Sequence, residues 1–173
     1  KLAEEKILVR KVSVSEELQR ARKIHSEANG IIRNIMQDVR LGKQVNAELA
    51  EPVVEKITES ILRNGSALLS LTRVKNKDDY TFQHSVSVCA LQVSFCNALG
   101  LSATSTHLAG VGGLLHDIGK VKIPDDILNK PGSLTAEEFT IMKCHVVESK
   151  NILLETDGIQ EISIQVAAQH HER

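Results

Sequence analysis

The chain has 173 residues, 42% apolar, 25% charged and 2% aromatic, with three prolines and a formal net charge of −1. So few aromatic and turn residues beside abundant Leu, Ile, Val and Ala favour helices packed on helices and argue against an all-β fold, and the near-neutral charge supplies no general attraction to a nucleic-acid polymer or an anionic lipid surface. No apolar run reaches the roughly 18 residues of a membrane span and no basic-then-apolar leader opens the chain, which leaves the expectation of one ordinary domain with an appended helical segment.

Residues 1–12 mix charged and β-branched residues and read as a linker or a short extended piece. Ser13 followed by Glu16 is a capping-box pattern. From there Leu18, Ala21, His25, Ala28, Ile32, Ile35 and Val39 recur at steps of three and four, a helical seam that Gly42 ends. Such a stripe either packs on the domain's own core or joins another chain. Residues 13–42 are thus a candidate homodimer seam or a connection to an upstream regulatory domain. Asn46 can cap a second helix through Ala47–Arg63, with Pro52 an alternative start and Asn64-Gly65 the stop. Ser66–Val74 predicts a further turn or two of helix. Lys75–Asp79 is a polar break in which Asp78 or Asp79 can cap the next helix. On that helix His84, Val88, Leu91, Phe95 and Leu99 share one apolar face, and Gly100 closes it.

After Ser102–Thr106 comes a helix carrying Gly110, Gly112 and Gly113, each costing about 1 kcal/mol of helix propensity relative to Ala. Three glycines in four residues predict close approach by a neighbouring backbone. This helix ends at His116-Asp117. Two turns surround Ile127-Leu128, Thr135 with Glu138 forms a capping box opening a helix to about Leu154, and Asp157-Gly158 is a break. A last helix from about Ile159 carries Ile162, Val166 and Ala167 inward and reaches His170-His171-Glu172-Arg173. Cys89, Cys96 and Cys144 show no CxxC spacing and lie in apolar-patterned stretches, so all three read as buried thiols of a reducing cytosol.

His84, His116-Asp117, His145 and His170-His171 fall on four predicted helices. Their spacing fits no zinc-finger pattern. Five imidazoles and a carboxylate converging from four helices make a nitrogen-rich cage for iron, manganese, zinc, cobalt or nickel rather than calcium or magnesium. Two metals about 3.5–4 Å apart can activate water against a phosphodiester, and Lys120, one turn beyond Asp117, can neutralise a phosphate oxygen. The plainer reading stays open: a His-Asp dipeptide occurs by chance, and Lys120 suits a helix end as an exposed cation. His107, near a helix start, fits no ligand pattern.

His116-Asp117-Ile118-Gly119-Lys120 followed by Ile123-Pro124-Asp125 and Ile127–Gly132 closely resembles the HD-GYP branch of the HD phosphohydrolases. So do Leu134-Thr135, Glu137-Glu138-Phe139, Met142-Lys143 with His145, the closing His170–Arg173, and Asp79-Tyr80-Thr81 with His84-Ser85. The likeness runs over about 78–173. It implies an all-α HD-type helical bundle, residues 43–173, preceded by a linker and amphipathic helix, residues 1–42. It also implies a bacterial, cytoplasmic, metal-dependent phosphodiesterase that hydrolyses cyclic di-GMP to pGpG and/or GMP. By the same resemblance His84, His116, Asp117, His145, His170 and His171 are metal ligands, Asp117 bridges, and Lys120 acts at the phosphate. Two divalent transition metals, iron or manganese, are implied, because Tyr80 stands where three-metal members carry a Glu.

The family's Gly-Tyr-Pro motif and a further Asp ligand would come after Arg173 and lie outside these 173 residues. The sequence therefore predicts a core unfinished at its C-terminal end, with weak metal binding and little turnover by this chain alone. Two other functions compete: an HD phosphohydrolase acting on another nucleotide, such as guanosine tetraphosphate or a deoxynucleotide, and a catalytically silent signalling module. The long Ile123–Met142 likeness argues against the first and the full set of histidines against the second.

Overall fold

The computed structural model describes residues 9–72 and 80–172. Among them it is all-α, without a strand: α1 Val14–Arg40, α2 Ala47–Leu71, α3 Tyr80–Ala98, α4 Ala103–Leu115, a 3₁₀ turn Ile118–Lys122, a short α5 Asp125–Leu128, α6 Ala136–Leu154 and α7 Glu161–Gln169. The expected cap at Asp78 or Asp79, the polar break before it, and most of the N-terminal linker lie outside the described residues.

Helix α1 starts where Ser13 Oγ accepts the Glu16 amide at 3.2 Å. Its predicted seam is turned inward on this chain's own core: Ala21, Ala28, Ile32, Ile35 and Val39 are buried, with Ile24, Met36 and the charged Glu17. Glu17 is tolerated there because α2 brings it partners. Ser60 Oγ donates to Oε1 at 2.8 Å, and Arg63 donates through Nε to Oε2 at 2.8 Å. Burial alone would raise the Glu17 pKa, yet the bonds from Arg63 and Ser60 hold it below the ordinary value.

Helix α2 begins at Ala47, capped by Asn46, and passes through Pro52, so the alternative start at Pro52 is not used. The expected stop at Asn64-Gly65 is a kink instead, with Asn64 at φ −162 and ψ 96 inside a helix that resumes to Leu71. The bend frees backbone for another partner: Val12 donates its amide to Arg63 O at 3.3 Å, and Asn64 Nδ2 donates to Val12 O at 2.8 Å. The segment before α1 is thereby tied to α2.

Helix α4 is the central element, and its glycines explain how. A Cβ at Gly112 would fall 2.7 Å from Ser163 O of α7, and one at Gly113 3.3 Å from the Cys89 Cα of α3. The predicted close approach is therefore present, against two helices at once. Ser163 Oγ closes the α4–α7 contact by donating to Leu108 O at 2.7 Å. This packing corrects the predicted face of α3. Leu91, Phe95 and Leu99 point to solvent, Phe95 being 64% exposed, while Ser85, Val86, Cys89, Ala90, Val93 and Cys96 are buried. In α7, likewise, Ile162 is exposed, Val166 is half-buried and Ser163, Ile164 and Ala167 are buried. The third thiol, Cys144, is exposed, whereas Cys89 and Cys96 are buried, and burial pushes Cys89 up to about 12.

Candidate metal centre

Each candidate side chain stands at a point the fold makes convergent. His84 is on the first turns of α3. His116 caps the C-terminus of α4, with Asp117 between it and the 3₁₀ turn. His145 is midway along α6. His170 caps α7 and His171 comes next. Gly119 lets the His-Asp turn seat on α6, because a Cβ there would press on His145 O and Ser149 N. Its amide donates to the buried Ser149 Oγ at 2.8 Å. His145 and Asp117 are thereby held side by side.

Two groups of possible ligands result: His84, His116 and Asp117, and His145, His170 and His171. Within each, the ligand atoms lie within 4.8 Å of one another. Asp117 is 1% exposed and faces both groups. Its Oδ2 is 3.2 Å from His116 Nε2 and 3.8 Å from His84 Nε2. Its Oδ1 is 3.4 Å from His145 Nε2 and 3.8 Å from His170 Nε2. Lys120 Nζ donates to Oδ2 at 2.6 Å. Burial alone would raise the Asp117 pKa, but the His116 and Lys120 side chains hold this carboxyl far below the usual carboxylate range.

Three of the histidines are oriented by the same device. Nδ1 of His116 lies 2.8 Å from Gly113 O, that of His145 2.7 Å from Met142 O, and that of His170 2.7 Å from Ala167 O. A carbonyl oxygen only accepts, so each Nδ1 carries a proton, and in a neutral ring of this kind Nε2 presents a lone pair to the centre. Burial lowers the pKa of His145 and pushes His170 down to about 4, so both rings are neutral at pH 7. The two Nε2 atoms nevertheless face each other at 3.3 Å. Two lone pairs at that distance repel, and Asp117 Oδ1 beside them is buried and accepts no hydrogen bond. A cation relieves both, and neutral imidazole with carboxylate is the donor set of a divalent transition metal.

All seven residues expected at the centre are thus brought together: His84, His116, Asp117, Lys120, His145, His170 and His171. His107 is not among them and pairs with Glu51 of α2. His84 corrects one expectation. It stands at the edge of the centre, with its side chain 40% exposed, rather than on a buried stripe, and its ring lies parallel to Tyr80 with centroids 6.1 Å apart. Sequence reasoning missed Ser149 and the three carbonyls that aim the rings. Any residue supplies a carbonyl, so those three carry no sequence signal.

Residues 81–173 match the family profile of the HD domain, and residues 1–50 that of a domain of unknown function, DUF3391. A cyclic di-GMP phosphodiesterase of Pseudomonas aeruginosa is 39% identical over 163 residues, which cover 94% of this chain and 39% of the relative. A 3'3'-cGAMP-specific phosphodiesterase of Vibrio cholerae is 36% identical over 107 residues, covering 62% of this chain and 25% of its own. A cyclic di-GMP phosphodiesterase of Thermotoga maritima is 39% identical over 98 residues, covering 56% and 27%. The chain therefore spans only about a quarter to two fifths of the length of these relatives. No solved structure matches it. None of the helices described is long and apolar enough to cross a membrane.

Proposed function

Because this chain belongs to the HD domain family, in its HD-GYP branch, we propose that the protein carrying it is a bacterial, cytoplasmic, metal-dependent phosphodiesterase that hydrolyses cyclic di-GMP to pGpG and/or GMP. Residues 43–173 form its HD-type catalytic part and residues 1–42 the N-terminal segment. His84 and His116 would hold one divalent metal, and His145, His170 and His171 a second, with Asp117 placed between the two groups to serve both. Iron and manganese suit this set of imidazoles around a single carboxylate. Metals held there supply Lewis acidity and lower the pKa of water, which is what attack on a phosphodiester at neutral pH needs.

The chain's own residues do the rest. The Gly113, Met142 and Ala167 carbonyls aim three imidazoles, and burial lowers the pKa of two of them, His145 and His170. Lys120, already 2.6 Å from Asp117, carries the positive charge best placed to bind a phosphate oxygen. The His116 and Lys120 side chains favour the ionised form of the buried Asp117. The observation that carries this reading is the position of Asp117, one oxygen turned to each histidine group.

The full-length protein tests it. Purified with manganese or iron, it is expected to hold two metals per chain and to hydrolyse cyclic di-GMP. Asp117→Asn and His145→Ala should each lower metal content and reduce turnover at least 100-fold. Metal-free protein with full turnover, or variants that keep wild-type metal and rate, would overturn the reading.

A further inference from the structure

A cleft of about 740 Å³ opens beside the centre, within the range of small-molecule sites. Lys120 and Tyr80 both line it, and both touch the centre, Lys120 through Asp117 and Tyr80 through His84. Another stretch of its wall comes from α1, the helix before the bundle, whose Arg40 meets Asp125 of α5 there. The two are joined fork to fork, Nη2 to Oδ1 at 3.0 Å and Nη1 to Oδ2 at 3.4 Å. Their side chains are 49% and 67% exposed. So solvated a pair adds little to stability, and it leaves both charged groups within reach of whatever occupies the cleft.

We propose that the Arg40–Asp125 pair reads a guanine base of the cyclic dinucleotide, so that the N-terminal helix takes part in choosing the substrate. This rests on the phosphodiesterase reading above and adds to it the residues that set base specificity. A carboxylate offers about four lone-pair sites and a guanidinium five N–H donors. Their mutual contact uses two of each, so the pair need not break to bind. Guanine presents N1–H and N2–H donors on one edge and the O6 and N7 acceptors beside it. Asp125 accepts from the first edge and Arg40 donates to the second. Adenine inverts the match: its N1 lone pair would face the carboxylate, and its N6 amino group would face the guanidinium. Such a mismatch strands polar groups and rejects the wrong base. The cleft's contact with Lys120 and Tyr80 places this reader on the same ligand whose phosphate reaches the centre.

Steady-state kinetics of the full-length protein with cyclic di-GMP, 3'3'-cGAMP and cyclic di-AMP test this. The wild type is expected to prefer guanine. Asp125→Asn and Arg40→Ala should each raise KM for cyclic di-GMP roughly tenfold to hundredfold with kcat changed only a few-fold. Each should also erode the preference for guanine over adenine, while bound metal and Tm stay as in the wild type. A wild type indifferent to the base, or variants whose preference stays within twofold of it, overturn the inference alone. A metal-loaded wild type that hydrolyses bis(4-nitrophenyl) phosphate but none of the three dinucleotides overturns the function as well.

Discussion

A methyl group at position 119 would occupy space that α6 already fills, against the His145 carbonyl and the Ser149 amide. Both are backbone groups in mid-helix and cannot swing aside as a flexible side chain would. Gly119→Ala therefore pushes the His-Asp turn off α6, breaks the bond to Ser149 Oγ and separates Asp117 from His145. The expected cost is about 3 kcal/mol of stability, read by denaturant unfolding, with loss of metal binding as its companion. At this scale the candidates were legible: a His-Asp pair followed by Gly and Lys, with further histidines on separate helices, marked by residue type the side chains that the fold brings together. What spacing could not give was their orientation. Which nitrogen faces the centre depends on carbonyls that every residue possesses, and the partners of Asp117 come from α3, α6 and the end of α7, far away in the chain.

Helix α3 shows where reasoning by periodicity picks the wrong face. Leu91, Phe95 and Leu99 are its largest apolar residues at helical spacing, yet the buried side carries Ser85, Cys89, Ala90 and Cys96. The reason is distance. Where Gly110 and Gly113 bring α4 against α3, only small side chains and Val93 fit between the backbones. Size therefore selects against the residues that a hydrophobicity pattern ranks first. The same contest explains Ser163 inside and Ile162 outside on α7, opposite Gly112. Between α1 and α2 the surprise is Glu17, a charge on a buried face, unreadable because Arg63 and Ser60 belong to another helix. This pairing carries a pH signature. A carboxyl held below its ordinary value stabilises the fold above the unfolded-state pKa, near 4.5. That contribution is lost as pH falls through the folded value. Glu17→Gln should cost about 2 kcal/mol at pH 7, since it removes the buried charged partner of Arg63 and leaves that guanidinium only the more exposed Glu59. The gap between variant and wild type should narrow as unfolding is followed to acid pH. A gap independent of pH would contradict the pairing.

At the scale of the whole molecule, the all-α architecture was evident from composition, and the helices fall close to where caps and breaks put them. The boundary residues moved where tertiary contacts intervened, as at Asn64. The centre ties α3, α4, α6 and α7 together, so anything bound there is bound to the folded state only. Metal should then act as a stabiliser with a predictable dose response: about 2.7 kcal/mol when free metal is 100 times its Kd, which is several degrees in Tm for a chain of this size. Thermal melts of the full-length protein against manganese concentration, reversed by chelator, check this. Asp117→Asn should flatten the response.

The facing Nε2 atoms of His145 and His170 also bear on how the protein is made. His84, His116 and Asp117 leave the ribosome well before His170 and His171 do, so a nascent chain can offer a cation only half of the cage. The second half exists only once α7 has docked on α4 through Gly112 and Ser163. A cation that needs both histidine groups would therefore be held only after that docking.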